Sequence, residues 1–252
     1  MNHGRERRTG TPLLVVTAAL ALLLSAHAQA QRGQPQPPQP PRAAAPIDIT
    51  GTWVSVISED WVVRMMPPRK GDYPRVPMSP AGRKIADAWD PARDQAAGEQ
   101  CRAYGAAGIV RLPGRLRVSW QDDNTMKMDF EAGTQTRLLH FGAAAPPAAP
   151  SWQGHSVAQW QVARNPPRSG ELKVVTSRMR PGYLRTNGVP YGANAAMTEY
   201  FHLMKAPNGD TWLTVVAEVI DPENLREPFV QSSHFKKVPD NTPFKPEPCS
   251  AS

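Results

Sequence analysis

The sequence predicts a mainly β fold, an antiparallel up-and-down barrel of 8–9 strands with a short helical insertion after the first strand. Three observations lead there. Nine strand-like runs lie along the chain, eight of them in succession with no long helix between them. Their connections are short, which makes strands that follow one another antiparallel neighbours. Proline accounts for 28 of 252 residues, about twice its average share, and that share disfavours a helical bundle.

The elements follow in order. Ile47-Asp48-Ile49-Thr50-Gly51-Thr52-Trp53 alternates apolar and polar residues, and Val54, Val56 and Ile57 extend the first strand. Pro67, Pro68, Pro74 and Pro77, with Gly71-Asp72, bar regular structure up to Met78. Ser79-Pro80 then reads as an N-cap with proline at the first helical position, and Ile85, Ala86, Ala88 and Trp89 supply an apolar stripe. Asp90-Pro91 repeats the signal, so the insertion spans 79–98. Leu116, Val118 and Trp120 form one strand face. After the turn Gln121-Asp122-Asp123-Asn124, Met126, Met128 and Phe130 form the partner face. Ala132-Gly133 suggests a bulge before a run over 134–141. Further runs cover 156–162, 171–179, 197–203, 212–220 and 229–238. Asn208-Gly209-Asp210 marks a hairpin turn, and Asp221-Pro222 ends a strand.

Three segments make up the chain. Arg5, Arg7 and Arg8 precede an apolar run from Leu13 to Leu24 and the small-x-small sites Ala26-His27-Ala28 and Ala28-Gln29-Ala30. Residues 1–30 therefore read as a secretory signal peptide, too short in its apolar part for a membrane anchor. No Cys follows either cleavage site, which argues against a lipid anchor. Thr-Gly-Thr after Arg7-Arg8 departs from a twin-arginine signal. Residues 31–46, with six prolines, read as a polyproline-type linker, and 47–252 as one barrel domain. The expected location is the periplasm or the extracellular space, with no membrane span after cleavage.

Export lets Cys101 and Cys249 pair. Such a bridge closes a long loop and stabilises by about 4–5 kcal/mol at most on the chain-entropy argument. A reactive or metal-binding thiol pair is the rival reading. Neither cysteine has a His or second Cys at ligand spacing. Removing residues 1–30 lowers the formal net charge from +7 to +5, and the basic residues are scattered, most densely at Arg111, Arg115 and Arg117. No coherent basic face for nucleic acid results.

Gly51-Thr52-Trp53 at the start of the meander resembles the Gly-x-Trp signature of lipocalins and the wider calycin group, in which the Trp packs across one end of the barrel. The helical insertion and the missing later signatures depart from that group. The stretches 131–137, 151–154 and 180–191 are similar to a family of uncharacterised secreted bacterial proteins, a likeness that implies no activity.

An eight-stranded barrel can enclose one small ligand, and polar residues on apolar strand faces are the informative ones. Arg178 breaks the face Leu172, Val174, Thr176. Glu199 breaks Met197, Phe201, Leu203, and Glu218 breaks Trp212, Thr214, Val216, Ile220. If these faces point inward, Arg178 forms a charged cluster with Glu199 or Glu218; the alternatives are that the faces point outward, or that the Arg–Glu pair only satisfies itself. Trp53 and Trp160 are candidates for an aromatic pocket wall, although large rings also simply fill cores. Arg185 and Tyr191 lie on a Gly/Pro/Asn-rich connection placed to gate a cavity. Gly154-His155-Ser156-Val157-Ala158 looks like a nucleophile elbow but lacks the strand-to-helix turn. His140, His155, His202 and His234 form no ligand-spaced motif, so no metal or cofactor is predicted. The leading expectation is a periplasmic or secreted lipocalin-like protein that binds a small hydrophobic or amphipathic molecule in its barrel. Alternatives are an enzyme using Arg178 and a carboxylate for isomerase-like proton transfer, and a structural envelope interaction protein.

Overall fold

The computed structural model describes Met1 and residues 39–66, 68–142, 145–147, 149–163 and 169–251. The signal-peptide reading of 1–30 falls almost entirely outside these residues, as does the first half of the linker, 31–38. The compact unit Pro40–Ser252 carries the fold. Its barrel strands are β1 (Gly51–Ser55), β2 (Arg115–Trp120), β3 (Thr125–Phe130), β4 (Gln135–Phe141), β5 (His155–Val162), β6 (Gly170–Ser177), β9 (Ala196–Lys205), β10 (Thr211–Ile220) and β11 (Phe229–Val238). The small pair β7 (Gly182–Tyr183) and β8 (Pro190–Tyr191) stands apart from them.

The nine strands close in the order β1-β11-β10-β9-β6-β5-β4-β3-β2. A ring with an odd number of members cannot alternate direction all the way round, so at least one neighbouring pair must be parallel. That pair is β4–β5, in the register Leu139↔Ser156, His140↔Val157, Phe141↔Ala158. The other eight pairings are antiparallel. The up-and-down expectation therefore changes at one seam, where the connection after β4 carries the chain back to the end from which β4 started.

The barrel has two unlike ends. At the base, short turns join β2 to β3 and β9 to β10, the latter with Gly209 at φ 88°. The segment before β1 packs here. Helix α1 (Pro41–Ala44) lies inside the stretch read from sequence as linker, and Trp160 Nε1 donates to the Pro41 carbonyl at 2.8 Å. Trp120, Phe141 and Trp160 stack on one another with centroids 5.3–6.5 Å apart. Trp53 is fully buried and donates to the Ile49 carbonyl at 3.0 Å, so the Gly-x-Trp tryptophan holds the first strand to the segment before it. The core above includes Leu116, Met128, Leu139, Leu172, Phe201 and Leu213.

The mouth carries every long insertion. After β1 come α2 (Trp61–Arg64), α3 (Pro80–Ala88), α4 (Pro91–Ala96) and α5 (Ala106–Ile109). Ser79 Oγ accepts from Gly82 N at 3.0 Å and donates to the Glu223 carbonyl at 2.7 Å, and the Asp90 carboxylate caps α4 through Ala92 N. Both helices begin where the Ser-Pro and Asp-Pro signals place them. The buried side of α3, however, is Gly82 and Ala86, with Ile85 half exposed. The backbone of Asn224 passes so close that a Cβ on Gly82 would lie 2.3 Å from its carbonyl oxygen, which leaves no room for a larger residue. A second core joins this insertion to the strand ends, through Met78, Leu184, Val189, Met197, Val219 and Phe229. The predicted bulge at Ala132-Gly133 is a 3₁₀ turn with Gly133 at φ 68°.

After β11 the chain climbs from base to mouth along the outside. Asp240 accepts from Thr52 N at 2.9 Å, Phe244 lies under the Arg117 guanidinium, and Lys245 N donates to Glu131 at 2.7 Å. The climb ends at the Cys101–Cys249 disulfide, as expected from the export reading.

Candidate ligand site at the barrel mouth

Within the barrel, one arginine is enclosed among apolar side chains. Arg137 on β4 and Glu199 on β9 are fully buried and form a two-pronged ion pair, with Arg137 Nη1 donating to Glu199 Oε1 at 3.1 Å and Nη2 to Oε2. Arg137 Nε donates to Ser156 Oγ at 3.0 Å and Nη2 to Thr176 Oγ1 at 2.6 Å; the two hydroxyls are 2.9 Å apart. Each guanidinium nitrogen has a partner, and both carboxylate oxygens accept. Such a cluster fixes how the strands face one another, and its charges are paired with each other inside the barrel.

The sequence-predicted residues divide accordingly. Glu199 faces inward as its parity requires, on the same side as Met197 and Phe201. Arg178 does not join it. Strand β6 ends at Ser177, and Arg178, at φ 55°, turns outward and is exposed. Glu218 also fails to join it, because the inward face of β10 is Leu213, Val215, Ala217 and Val219. Arg137 takes the place expected of Arg178. Trp53 and Trp160 both pack at the base and line no pocket at the mouth. Ser156 sits within β5, held in the buried cluster, and forms no strand-to-helix elbow.

Tyr191 is 1% exposed, wedged between Gly105 and Gly182, where added Cβ atoms would lie 2.4 and 2.6 Å from its hydroxyl. Burial raises its pKa. Nearby, the Asp94 carboxylate accepts from Tyr183 Oη at 2.8 Å, Trp89 Nε1 at 3.2 Å and Arg102 Nη1 at 2.9 Å, tying α4 to β7. Burial, and then the bond to Asp94, push Tyr183 up to about 12. These contacts hold the insertion rigidly over the mouth.

Between that insertion and the strand ends lies a pocket of about 470 Å³, within the range of small-molecule sites. Leu112, Pro113, Leu184 and Met65 supply apolar wall; Arg64, Arg111, Arg185, Glu131 and Lys245 supply charge. Arg185, the predicted gating residue, therefore does line a cavity. A second concavity of about 420 Å³ shares Arg111 and Arg185 and adds Glu59, Asp60 and Arg75. Burial, with Arg111 as the next cause, lowers both Arg64 and Arg185 to about 10. Although burial opposes it, Arg111 and Arg75 together hold the Asp60 carboxyl below its ordinary range. On the rim, Trp61, Val62, Met65 and Met66 are at least half exposed.

Arg64 and Arg111 were not singled out as site residues from the sequence. Their only signal was the density of basic residues from Arg111 to Arg117; Arg64 lies 47 positions upstream, and only folding brings the two together. Among the described residues no group of three or more His, Cys, Asp or Glu side chains could hold a metal ion, and no helix is long and apolar enough to cross a membrane. Comparison with protein families, with curated proteins and with solved structures finds no match to this chain.

Proposed function

We propose that this is an exported, lipocalin-like binding protein for a small amphipathic molecule, seated in the pocket at the mouth of the barrel. The observation that carries the reading is the pocket itself: about 470 Å³, with an apolar wall and a few convergent charged groups, beneath a rigidly bonded insertion. The barrel provides the scaffold. Its inward side chains pack on one another and on the Arg137–Glu199 cluster. The disulfide and the signal-like start support export, since such bridges persist in oxidising compartments. The Gly-x-Trp likeness to lipocalins supports the class. Its tryptophan, which packs at the base, does not touch the proposed seat.

Native mass spectrometry on protein exported in its own host tests this reading. The expected result is an added small mass that is lost on unfolding and absent from Leu112→Trp, which fills the pocket. A bound mass that survives Leu112→Trp would place the seat elsewhere. Protein that is recovered empty and takes up no fatty acid, sterol or phospholipid would overturn the reading.

A further inference from the structure

On the reading that the mouth pocket seats a small molecule, we propose that its ligand is a carboxylate-bearing amphiphile whose anionic head is received by Arg64, with Arg111 and Arg185 beside it. Arg64 is held almost without freedom. Its side chain is 1% exposed, Nε donates to the Arg111 carbonyl at 2.9 Å, and Nη1 donates to the Val56 carbonyl at 2.8 Å. These two carbonyls aim the guanidinium, and the Glu59 carboxylate reaches Nη1 alone, at a long 3.5 Å. Nη2 is buried and has no hydrogen-bond partner among the described residues, although Arg64 lines the pocket. A buried charged donor left without an acceptor costs more than a neutral one, and an anionic oxygen is the group that best satisfies it.

The surrounding charges leave this demand unmet. Glu59 approaches Arg64 through Oε1, 3.5 Å from Nη1, and makes no hydrogen bond to Nη2. Asp60 serves Arg111 and Arg75. Arg185 donates to the Pro74 carbonyl at 2.9 Å, again a neutral partner. Arg64, Arg75, Arg111 and Arg185 face Glu59, Asp60 and the more exposed Asp72, while Glu131, Glu247 and Lys245 line the same pocket; the charges balance in number, and the unmet demand is local to Arg64 Nη2. Burial first, and then the charge of Arg111, lowers the pKa of both Arg64 and Arg185, and an anion beside them would offset both causes.

The head is a monoanion. The two N–H donors of Nη2 are within what one carboxylate can satisfy, and Glu131 and Glu247 in the same pocket disfavour the second charge of a phosphate. Leu112, Pro113, Leu184 and Met65 receive the apolar remainder.

The test uses the full oxidised chain and two fluorescent probes, 11-(dansylamino)undecanoic acid and its methyl ester, titrated at low and high salt. The acid is expected to bind at least about tenfold more tightly than the ester, as one charge-assisted hydrogen bond provides. Raising the salt should narrow the gap. Arg64→Met should bring the acid down to the ester while leaving the ester unchanged. If Arg64→Met does not fold, as judged by its near-ultraviolet circular dichroism, Arg185→Gln replaces it and should weaken the acid several-fold without affecting the ester. Equal binding of the two probes to the unsubstituted protein would overturn the carboxylate proposal and leave the pocket standing. So would a preference for the acid that survives in the folded variant. Failure to bind either probe would overturn both readings.

Discussion

The two ends of the barrel are built from different materials. The base is closed by aromatic packing and short turns, with Trp120, Phe141 and Trp160 against one another and the segment before β1 across them. The mouth has an apolar core of its own, and adds irregular segments held by polar contacts: the Asp94 cluster, the Ser79 cap, the Asp221 carboxylate bonded to Gly192 N and Asn224, and the disulfide. Apolar packing fills space without direction and leaves a closed end. Directional bonds between loops can hold surfaces apart, and the pocket is at the end that uses them. Stability and binding should therefore respond differently to changes at each end.

The largest separation is expected from the barrel interior. Glu199→Gln leaves Arg137 buried beside a neutral amide and should cost about 3–5 kcal/mol in urea unfolding. The folded fraction should bind ligand as before. Glu218→Gln, on the outer face of β10, should lie within about 0.5 kcal/mol of the unsubstituted protein. Equal effects from the two would mean that the strand faces are assigned wrongly. Next comes the disulfide. Replacing Cys101 and Cys249 together by Ser should cost about 2–5 kcal/mol. Unlike Glu199→Gln, it should also weaken binding in the folded fraction, because Lys245, Glu247 and Pro248 line the pocket. A smaller effect, about 1 kcal/mol, is expected for Ser79→Ala, which removes the cap of α3 and the tie to Glu223. Hydrogen exchange should show that loss at the mouth, with the base strands unchanged.

The smallest effect sits at the parallel seam. Burial first, and then the charge of His155, stacked 5.5 Å away, lower the His140 pKa from its ordinary 6.5. A folded state that binds a proton less readily than the unfolded chain loses stability as pH falls below about 6.5, until the folded pKa is passed. Unfolding free energy should therefore decline from pH 7 towards pH 5, and His140→Gln should flatten that slope. An unchanged slope would assign the decline to other groups.

Much of the barrel was legible because alternation is local. Met126, Met128 and Phe130 fall where the pattern put them, as do the turn at 121–124 and the stop at Asp221-Pro222. The direction of β4 against β5 was not legible, since it depends on where a long connection returns. Parity failed on β10 for a physical reason: Trp212, Val216 and Ile220 on one face are as apolar as Leu213, Val215 and Val219 on the other. Arg178 misled because a face continues in sequence after its strand has stopped. Arg137 was within reach of the same argument, as the polar member of Arg137, Leu139, Phe141. The pocket was not within reach. Its wall comes from segments near residues 64, 112, 131, 185 and 247, which have no shared period to betray them.

The segment after β11 gives the molecule a sequence in time. Lys245, Glu247 and Pro248 are made after every strand, and the bond from Cys249 to Cys101 fixes them in place only once both thiols have met an oxidant. All nine barrel strands lie in the residues that precede them, whereas the pocket wall includes all three. If the chain is exported and carries a ligand as proposed, tight loading would follow oxidation and so belong to the last stage of maturation.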